Sequence, residues 1–390
     1  MRKIIKLEGI PLTEGHSGLY LDVVNGIVKK GYYYALVPIR GFETLLLDKE
    51  AVIAPVITSR VCGLCQITHS IASARAVESA AGIDVPLEAE LLREVLGLAV
   101  RIYNNLLHQI VISEDIFPKR EERFAFIRKV QRIRKFTGEV LESIGGEIIH
   151  APNIKVGGIS EPLEDFVREK ILASCQEVKP LLKQVFEEFK ENIDKFWQKE
   201  NLEEDFGKHD LPFFATDKFY GKSIDKSKIE FKYPQELFHT SLKREITNIF
   251  PYVDGKIVET GPRARKVLFD NYKPIGGVKE LHILRALESV EAIERIEEIL
   301  SSRSFEVEMW NRTFPTSDGE IPGVGVHEAP RGTNIHIVKL DKRGRIVYYK
   351  IIVPTEFNFM VISKALEGIP VSKVEIVVRA YDPCTVCAAH

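Results

Sequence analysis

Two Cys-x-x-Cys pairs stand at opposite ends of this chain, and few folds can satisfy both at once. Cys62-Gly63-Leu64-Cys65 falls in the first sixth of the sequence, and Cys384-Thr385-Val386-Cys387 stops just short of the final His390. Cys175 is the one other cysteine. The thiolate is the metal-binding form of cysteine, and four of them suit soft or borderline transition metals such as nickel, iron or zinc. Matched pairs at both ends describe one site, closed by bringing the two ends together. Length alone would allow two or three domains. The shared site predicts instead a single domain over residues 1–390, with its centre built from 60–69 and 382–390.

Composition narrows the function classes. Hydrophobic residues make up 45% of the 390, enough for a large core. Lys and Arg number 54 against 56 Asp and Glu, so no strong field points to nucleic acid or to a membrane surface. No run of roughly 18 apolar residues is present, and none is expected to span a bilayer. Met1-Arg2-Lys3-Ile4-Ile5-Lys6 lacks the apolar stretch of a secretory signal. Five cysteines in a chain this long do not resemble a disulfide framework. The expected location is cytoplasmic, with export alongside a signal-bearing partner as the alternative.

Local patterns predict a hairpin over 18–36, because Leu19–Val24 and Ile27–Tyr34 flank Asn25-Gly26. Ser70–Ala81 is rich in Ala and Ser and reads as a close-packing helix that Gly82 can cap. Apolar residues recur at helical spacing from Leu87 to Leu107, with further helices expected over 121–145, 162–200 and 277–303. Pro180 is expected to kink or break the third of these. Residues 200–275 show no clear period and read as loops with short elements. A second hairpin is expected from Asn334 to Val353, turning at Asp341–Gly344, and Val374–Val378 is β-branched enough for a strand. The fold class is therefore α+β, mainly α: a central helical bundle with small peripheral sheets from the N- and C-terminal regions.

One rival for the cysteines is a structural zinc site in a scaffold protein, but zinc ribbons place their pairs about 15–20 residues apart. A thioredoxin-like pair needs a helix after it to lower a thiol pKa, and Cys387 leaves no room for one. The flanking residues are more specific. Arg60-Val61-Cys62-Gly63-Leu64-Cys65-Gln66-Ile67-Thr68-His69 and Asp382-Pro383-Cys384-Thr385-Val386-Cys387-Ala388-Ala389-His390 resemble the two signatures of the nickel–iron hydrogenase large subunit. Glu14-Gly15-His16, Arg40-Gly41-Phe42-Glu43, Gly261-Pro262-Arg263-Ala264-Arg265, Glu328-Ala329-Pro330-Arg331-Gly332 and Val353-Pro354-Thr355 match further motifs of that family, in order.

The resemblance implies that Cys62 and Cys384 bind nickel alone, while Cys65 and Cys387 bridge it to an iron carrying one carbon monoxide and two cyanides. Arg331 would lie over the metals and, with Pro330, Val353, Pro354 and Thr355, surround the diatomic ligands. Thr355 would donate to a cyanide, and Asp382 would hold an arginine in place. Four thiolates and two cyanides exceed the charge of two divalent metals, so nearby cationic support is expected. By the same resemblance a proton leaves from the Cys384 thiolate to Glu14, whose plain alternative is an ordinary turn carboxylate. Glu43, His390 and the carbonyl of Ile351 would hold magnesium, or another divalent or ferrous ion. His69 would donate to a thiolate from behind the ligands, with a satisfied core histidine as its alternative, and Cys175 reads as a packed core thiol. Two departures stand out: Leu12 where many members carry Arg, and Asn104 where an aspartate is common.

The implied activity is reversible heterolytic cleavage of dihydrogen. Lacking further cysteine clusters or a nucleotide fingerprint, the chain is expected to need an iron–sulfur small subunit. The motif wording looks most like the cytoplasmic branch that reduces coenzyme F-420 in methanogens, which works with a flavin (FAD) subunit. An NAD(P)-linked or heterodisulfide-reductase-linked hydrogenase is the near alternative. A non-catalytic relative such as the quinone-site subunit of respiratory complex I is a further alternative, which retention of all four cysteines argues against, and a zinc-stabilised scaffold is the remote one. A maturation endopeptidase that cuts family precursors after this histidine is a further expected partner.

Overall fold

The computed structural model describes every residue except 235–245, 247 and 319–321. Strands β1 (Arg2–Glu8), β2 (Ser17–Val24) and β3 (Ile27–Ala35) form an antiparallel sheet in the order β1-β2-β3. The β2–β3 turn is the predicted one: Asn25 and Gly26 take φ of 52° and 81°, and Val24 pairs with Ile27. Both central residues of a type I′ turn need positive φ, which Asn and Gly tolerate best. Short helices α1 (Phe42–Leu46) and α2 (Ala54–Thr58) lead to the first cysteine pair.

Helix α3 (Gln66–Ala81) follows at once and ends at Gly82, left-handed at φ 63°. Its small-residue face meets the C-terminal sheet, β8 (Gly323–Ala329), β9 (Gly332–Leu340) and β10 (Ile346–Ile352), ordered β10-β9-β8. The approach is close enough that a Cβ on Gly325 would lie 1.9 Å from the Ala72 carbonyl oxygen, so only glycine fits there. The bundle is built from α4 (Leu87–Ile116), α5 (Arg120–Gly145), α6 (Asp165–Lys199) and a later helix, Lys279–Ser302, against which α4 and α6 both pack, with the two-residue strands β4 (Ile154–Lys155) and β5 (Gly158–Ile159) between α5 and α6. Helix α4 is long and apolar enough to cross a membrane by composition alone, but 78% of its most apolar window is buried inside the protein.

Two expectations change. Helix α6 runs unbroken through Pro180. Pro180 faces solvent, where water can satisfy the carbonyl it orphans, while Ile171, Cys175, Leu182, Val185, Phe189, Ile193 and Trp197 anchor the opposite face. Val374–Val378 is not a strand but part of a helix, Val374–Tyr381. Val374, Val377, Val378 and Tyr381 are buried at i, i+3, i+4 and i+7, and that burial overrides β-propensity. Within 200–275, of which 235–245 and 247 lie outside the described residues, the short elements include the ribbon β6 (Ile229–Lys232) and β7 (Phe250–Val253), and the helix α7 (Pro262–Phe269). Helix α7 carries no apolar stripe because its buried face is arginine: Arg263 pairs with Glu259 and Glu280, and Arg265 with Glu288 and Glu328.

With α8 then Lys279–Ser302, the last two helices are α9 (Pro354–Ala365) and α10 (Val374–Tyr381). Helix α9 packs on β3, and the loop after it exchanges hydrogen bonds with the β2–β3 hairpin, Gly368 to Val28, Val28 to Ile369 and Val371 to Gly26. These contacts bring the C-terminal segment onto the N-terminal sheet. One hydrophobic cluster extends from Ile10 to Ala388 and includes Cys62, Cys65, Cys384 and Cys387.

Candidate metal centre

Each cysteine is presented by a chain reversal. Cys62 follows a short 3-10 turn in extended conformation, and Cys65 caps the N-terminus of α3, its carbonyl accepting from the Thr68 and His69 amides. Asp382 ends α10 at φ 51°, in the left-handed region that Asp tolerates, and turns the chain into Cys384. The sulfurs converge: Cys62 and Cys384 lie 3.7 Å apart, Cys65 and Cys387 3.2 Å, and Cys384 and Cys387 2.9 Å. All four are buried free thiols, and these separations far exceed the roughly 2.05 Å of a disulfide.

Crowding splits their acidity. Hydrogen bonds from Cys384 and its neighbours hold Cys62 well below the ordinary thiol range. Sharing with Cys384, together with burial, pushes Cys65 and Cys387 well above it. Four ionised sulfurs at these distances need cations among them, and a soft donor set of this kind fits nickel, iron or zinc. The two ends of the chain do meet in one cluster.

Arg331 lies over that cluster and is held by Asp382. Its Nε donates to the Asp382 carbonyl at 2.5 Å, its Nη2 pairs with Asp382 Oδ2 at 3.1 Å, and its Nη1 donates to Asn104 Oδ1 at 3.3 Å. Asn104 in turn donates to the Leu64 carbonyl at 2.7 Å, inside the first Cys-x-x-Cys loop. A carboxylate could not make that bond. Asp382 also faces His108 Nδ1 at 3.4 Å and Arg285 Nε at 3.9 Å. Burial alone would raise the Asp382 carboxyl, but Arg331, His108 and Arg285 outweigh it and hold it far below the usual range.

Pro330, Arg331, Val353, Pro354 and Thr355 line one small space with Cys65, Cys384, Cys387 and His69. Thr355 Oγ1 accepts from the Cys384 amide at 3.0 Å, so its own proton is free to point elsewhere. Glu14 runs beside the terminal pair: Thr385 donates to the Glu14 carbonyl from its amide at 2.9 Å and from its hydroxyl at 3.0 Å. Burial, then the negative sulfur of Cys62, raises the Glu14 carboxyl despite the opposing charge of Arg331.

A second cluster sits on the other side of the tail. Glu43 Oε1 accepts the Ile351 amide at 2.8 Å and lies 3.3 Å from His390 Nε2. The Ile351 carbonyl shares that side of β10, because a residue in an antiparallel strand aims both groups the same way. His390 Nδ1 sits 2.8 Å from the Cys387 carbonyl, an acceptor, which places its proton on Nδ1 and leaves Nε2 facing a carboxylate. A proton or a divalent cation resolves that clash, so the donor set fits a hard or borderline cation. Burial would raise Glu43, yet His390, Lys350 and the Ile351 amide bring it down to about 2.

Lys350 was not singled out by sequence, and its ammonium sits 3.1 Å from Glu43 Oε1. No local signal marks it, because the contact joins residues from opposite ends of the chain. His69 is buried with a ring nitrogen within 4.8 Å of the Cys65 and Cys387 sulfurs, while its Nδ1 lies 3.1 Å from His336 Nε2. His336 continues to the Tyr349 hydroxyl at 2.8 Å, another pairing no local pattern announces. Cys175 lies apart on α6, its thiol pushed up to about 12 by burial. Leu12 is partly exposed and takes φ 62°.

Known proteins resemble this chain in sequence and in fold. The Nickel-dependent hydrogenase family matches residues 40–113 and 280–390. Coenzyme F-420 hydrogenase subunit alpha of Methanocaldococcus jannaschii is 35% identical over 99% of this chain and 94% of its own. The chain belongs to the nickel-dependent hydrogenase family.

The corresponding subunit of Methanosarcina barkeri is 31% identical, covering all of this hydrogenase chain and 96% of the relative. Sulfhydrogenase 2 subunit alpha of Pyrococcus furiosus is 27% identical over 99% of both. In three dimensions the nickel–iron–selenium hydrogenase of Desulfovibrio vulgaris Hildenborough superposes with a TM-score of 0.83, covering all of both chains at 23% identity. An NAD⁺-reducing nickel–iron hydrogenase gives 0.81 at 22%, over all of this chain and 99% of that one. These likenesses establish the fold. The two segments of this hydrogenase that match the family carry both cysteine pairs, Glu43, Asn104 and Arg331, whereas Glu14 lies before them.

Proposed function

We propose that this hydrogenase chain is a catalytic large subunit that cleaves dihydrogen heterolytically at a nickel–iron centre held by Cys62, Cys65, Cys384 and Cys387. The observation that carries the reading is the convergence of these four sulfurs, from opposite ends of the chain, beneath a buried arginine. Cys62 and Cys384 would serve nickel alone, and Cys65 and Cys387 would be shared with an iron bearing one carbon monoxide and two cyanides. When bound, the centre supplies the Lewis acidity that polarises dihydrogen and the orbitals that take up its electrons.

The chain's own residues then divide the work. Cleavage yields two protons and two electrons. The Cys384 sulfur holds the first proton, and the upward shift that burial gives the Glu14 pKa suits its carboxylate to receive it. Arg331 stays cationic and offsets the negative charge of the thiolates and cyanides, while Asp382 keeps its plane fixed. Pro330, Val353 and Pro354 would exclude water from diatomic ligands held there, and the free Thr355 proton would be available to a cyanide nitrogen. Glu43, His390 and the Ile351 carbonyl would hold magnesium or another divalent or ferrous ion that secures the tail.

Electrons would leave to an iron–sulfur small subunit and pass through a flavin subunit; the names of the Methanocaldococcus jannaschii and Methanosarcina barkeri relatives support coenzyme F-420 as the acceptor. A cytoplasmic location goes with this reading. Metal analysis with infrared spectroscopy tests the centre: nickel and iron with carbonyl and cyanide bands are expected, and zinc alone would overturn it. Purifying the native complex tests the acceptor. A pyridine-nucleotide or disulfide reductase partner in place of a coenzyme F-420 reductase would move the chain to another branch.

A further inference from the structure

The two cysteine pairs meet without any covalent link, so something must set the spacing between them. Arg40 is placed to do so. Its Nη2 donates to the Val61 carbonyl at 2.6 Å and to the Val386 carbonyl at 2.7 Å. Those carbonyls belong to the residues immediately before Cys62 and Cys387. Its Nε donates to the Ala389 carbonyl at 3.2 Å, and its backbone amide reaches the same oxygen at 3.0 Å. The guanidinium also lies over the Phe42 ring, 5.0 Å from its centre, which limits its freedom to swing away.

Beyond Thr385, the backbone of the tail receives hydrogen bonds from elsewhere in the chain only from Arg40, among the described residues. The other polar contacts the tail makes there with outside residues, among the described ones, are of side chains: His390 with Glu43, and the Cys387 sulfur with that of Cys65. Bonds from a charged donor are stronger than neutral ones, and a rigid planar fork loses little entropy in making several. We infer that Arg40 is a positioning residue that clasps the two cysteine segments together, fixing the Cys62–Cys65 loop against the Cys384–Cys387 turn. A lysine would supply charge at one point and could not span acceptors on three residues. The clasp deepens the proposed metal reading but does not require a particular metal.

Arg40→Gln and Arg40→Lys, made in the full chain and purified in its native complex, test this. Hydrogen–deuterium exchange of residues 384–390 should quicken on the order of tenfold in the Gln variant and by less in the Lys variant. Exchange in 87–116 should match the parent. The carbonyl and cyanide infrared bands should broaden or move in the Gln variant, which a role in general stability would not cause. Parental tail exchange in the Gln variant would overturn the clasp. If that variant loses protection throughout, the Lys variant decides: faster exchange confined to the tail supports the clasp, and parental exchange there overturns it. Zinc alone in the parent would sink the nickel–iron reading while leaving the exchange result to judge Arg40.

Discussion

Arg331 and Asp382 are joined twice, by Nε on the backbone carbonyl at 2.5 Å and by Nη2 on the carboxylate at 3.1 Å. The pair links the strand end at Arg331 to the turn that delivers Cys384, so the charge above the cluster and the entry of the tail are set by one contact. Arg285 and His108 close the same carboxylate from behind. Asp382→Asn would leave two buried guanidiniums without their counter-charge. The expected cost is about 3–5 kcal/mol, read as a lowered denaturant midpoint with an unchanged slope.

Cys384→Ser should abolish nickel incorporation and hydrogenase activity while leaving helicity near the parental value. The hydroxyl is a poor ligand for a soft metal, and the bundle formed by α4, α5, α6 and α8 lies outside the cluster. Elemental analysis and circular dichroism on the same sample check both halves.

Glu14→Gln keeps the shape of the side chain but removes its capacity to take a proton. Metal content and infrared bands should persist, and proton exchange with dihydrogen should fall by about 10²–10⁴-fold. Undiminished exchange would remove Glu14 from the route.

Glu259 reports on the buried ionic cluster beneath α7. Burial alone would raise it, but Arg263 and His209 bring it down to about 2. A depressed folded value means the stabilisation is complete above the ordinary carboxylate range, near pH 4.5, and is lost as pH falls towards 2. Urea unfolding across that window should show a decline that Glu259→Gln flattens. The Gln variant should be less stable than the parent at neutral pH, by about 3 kcal/mol.

Much of this was legible where the determining physics is local. Asn25-Gly26 specifies its own turn, the apolar spacing from Leu87 specifies a buried helix face, and the motifs around the cysteines name their chemistry. Where long-range packing decides, local rules failed. Val374–Val378 carries β-branched residues yet forms a helix because the core lies on one side of it. Pro180 leaves α6 unbroken because its ring meets solvent. Helix α7 hid behind arginines whose carboxylate partners come from as far away as β8.

The residues by themselves determined which atoms could bind metal, that both ends must contribute, and which elements would supply the scaffold. Tertiary structure alone decided that Arg40 bridges the residues before Cys62 and Cys387, that Lys350 rests on Glu43, and that Asn104 joins Arg331 to Leu64. The reason is one of range. Backbone sterics and side-chain periodicity act over a few residues, whereas hydrogen bonds and ion pairs between distant segments exist only after the core has brought those segments together.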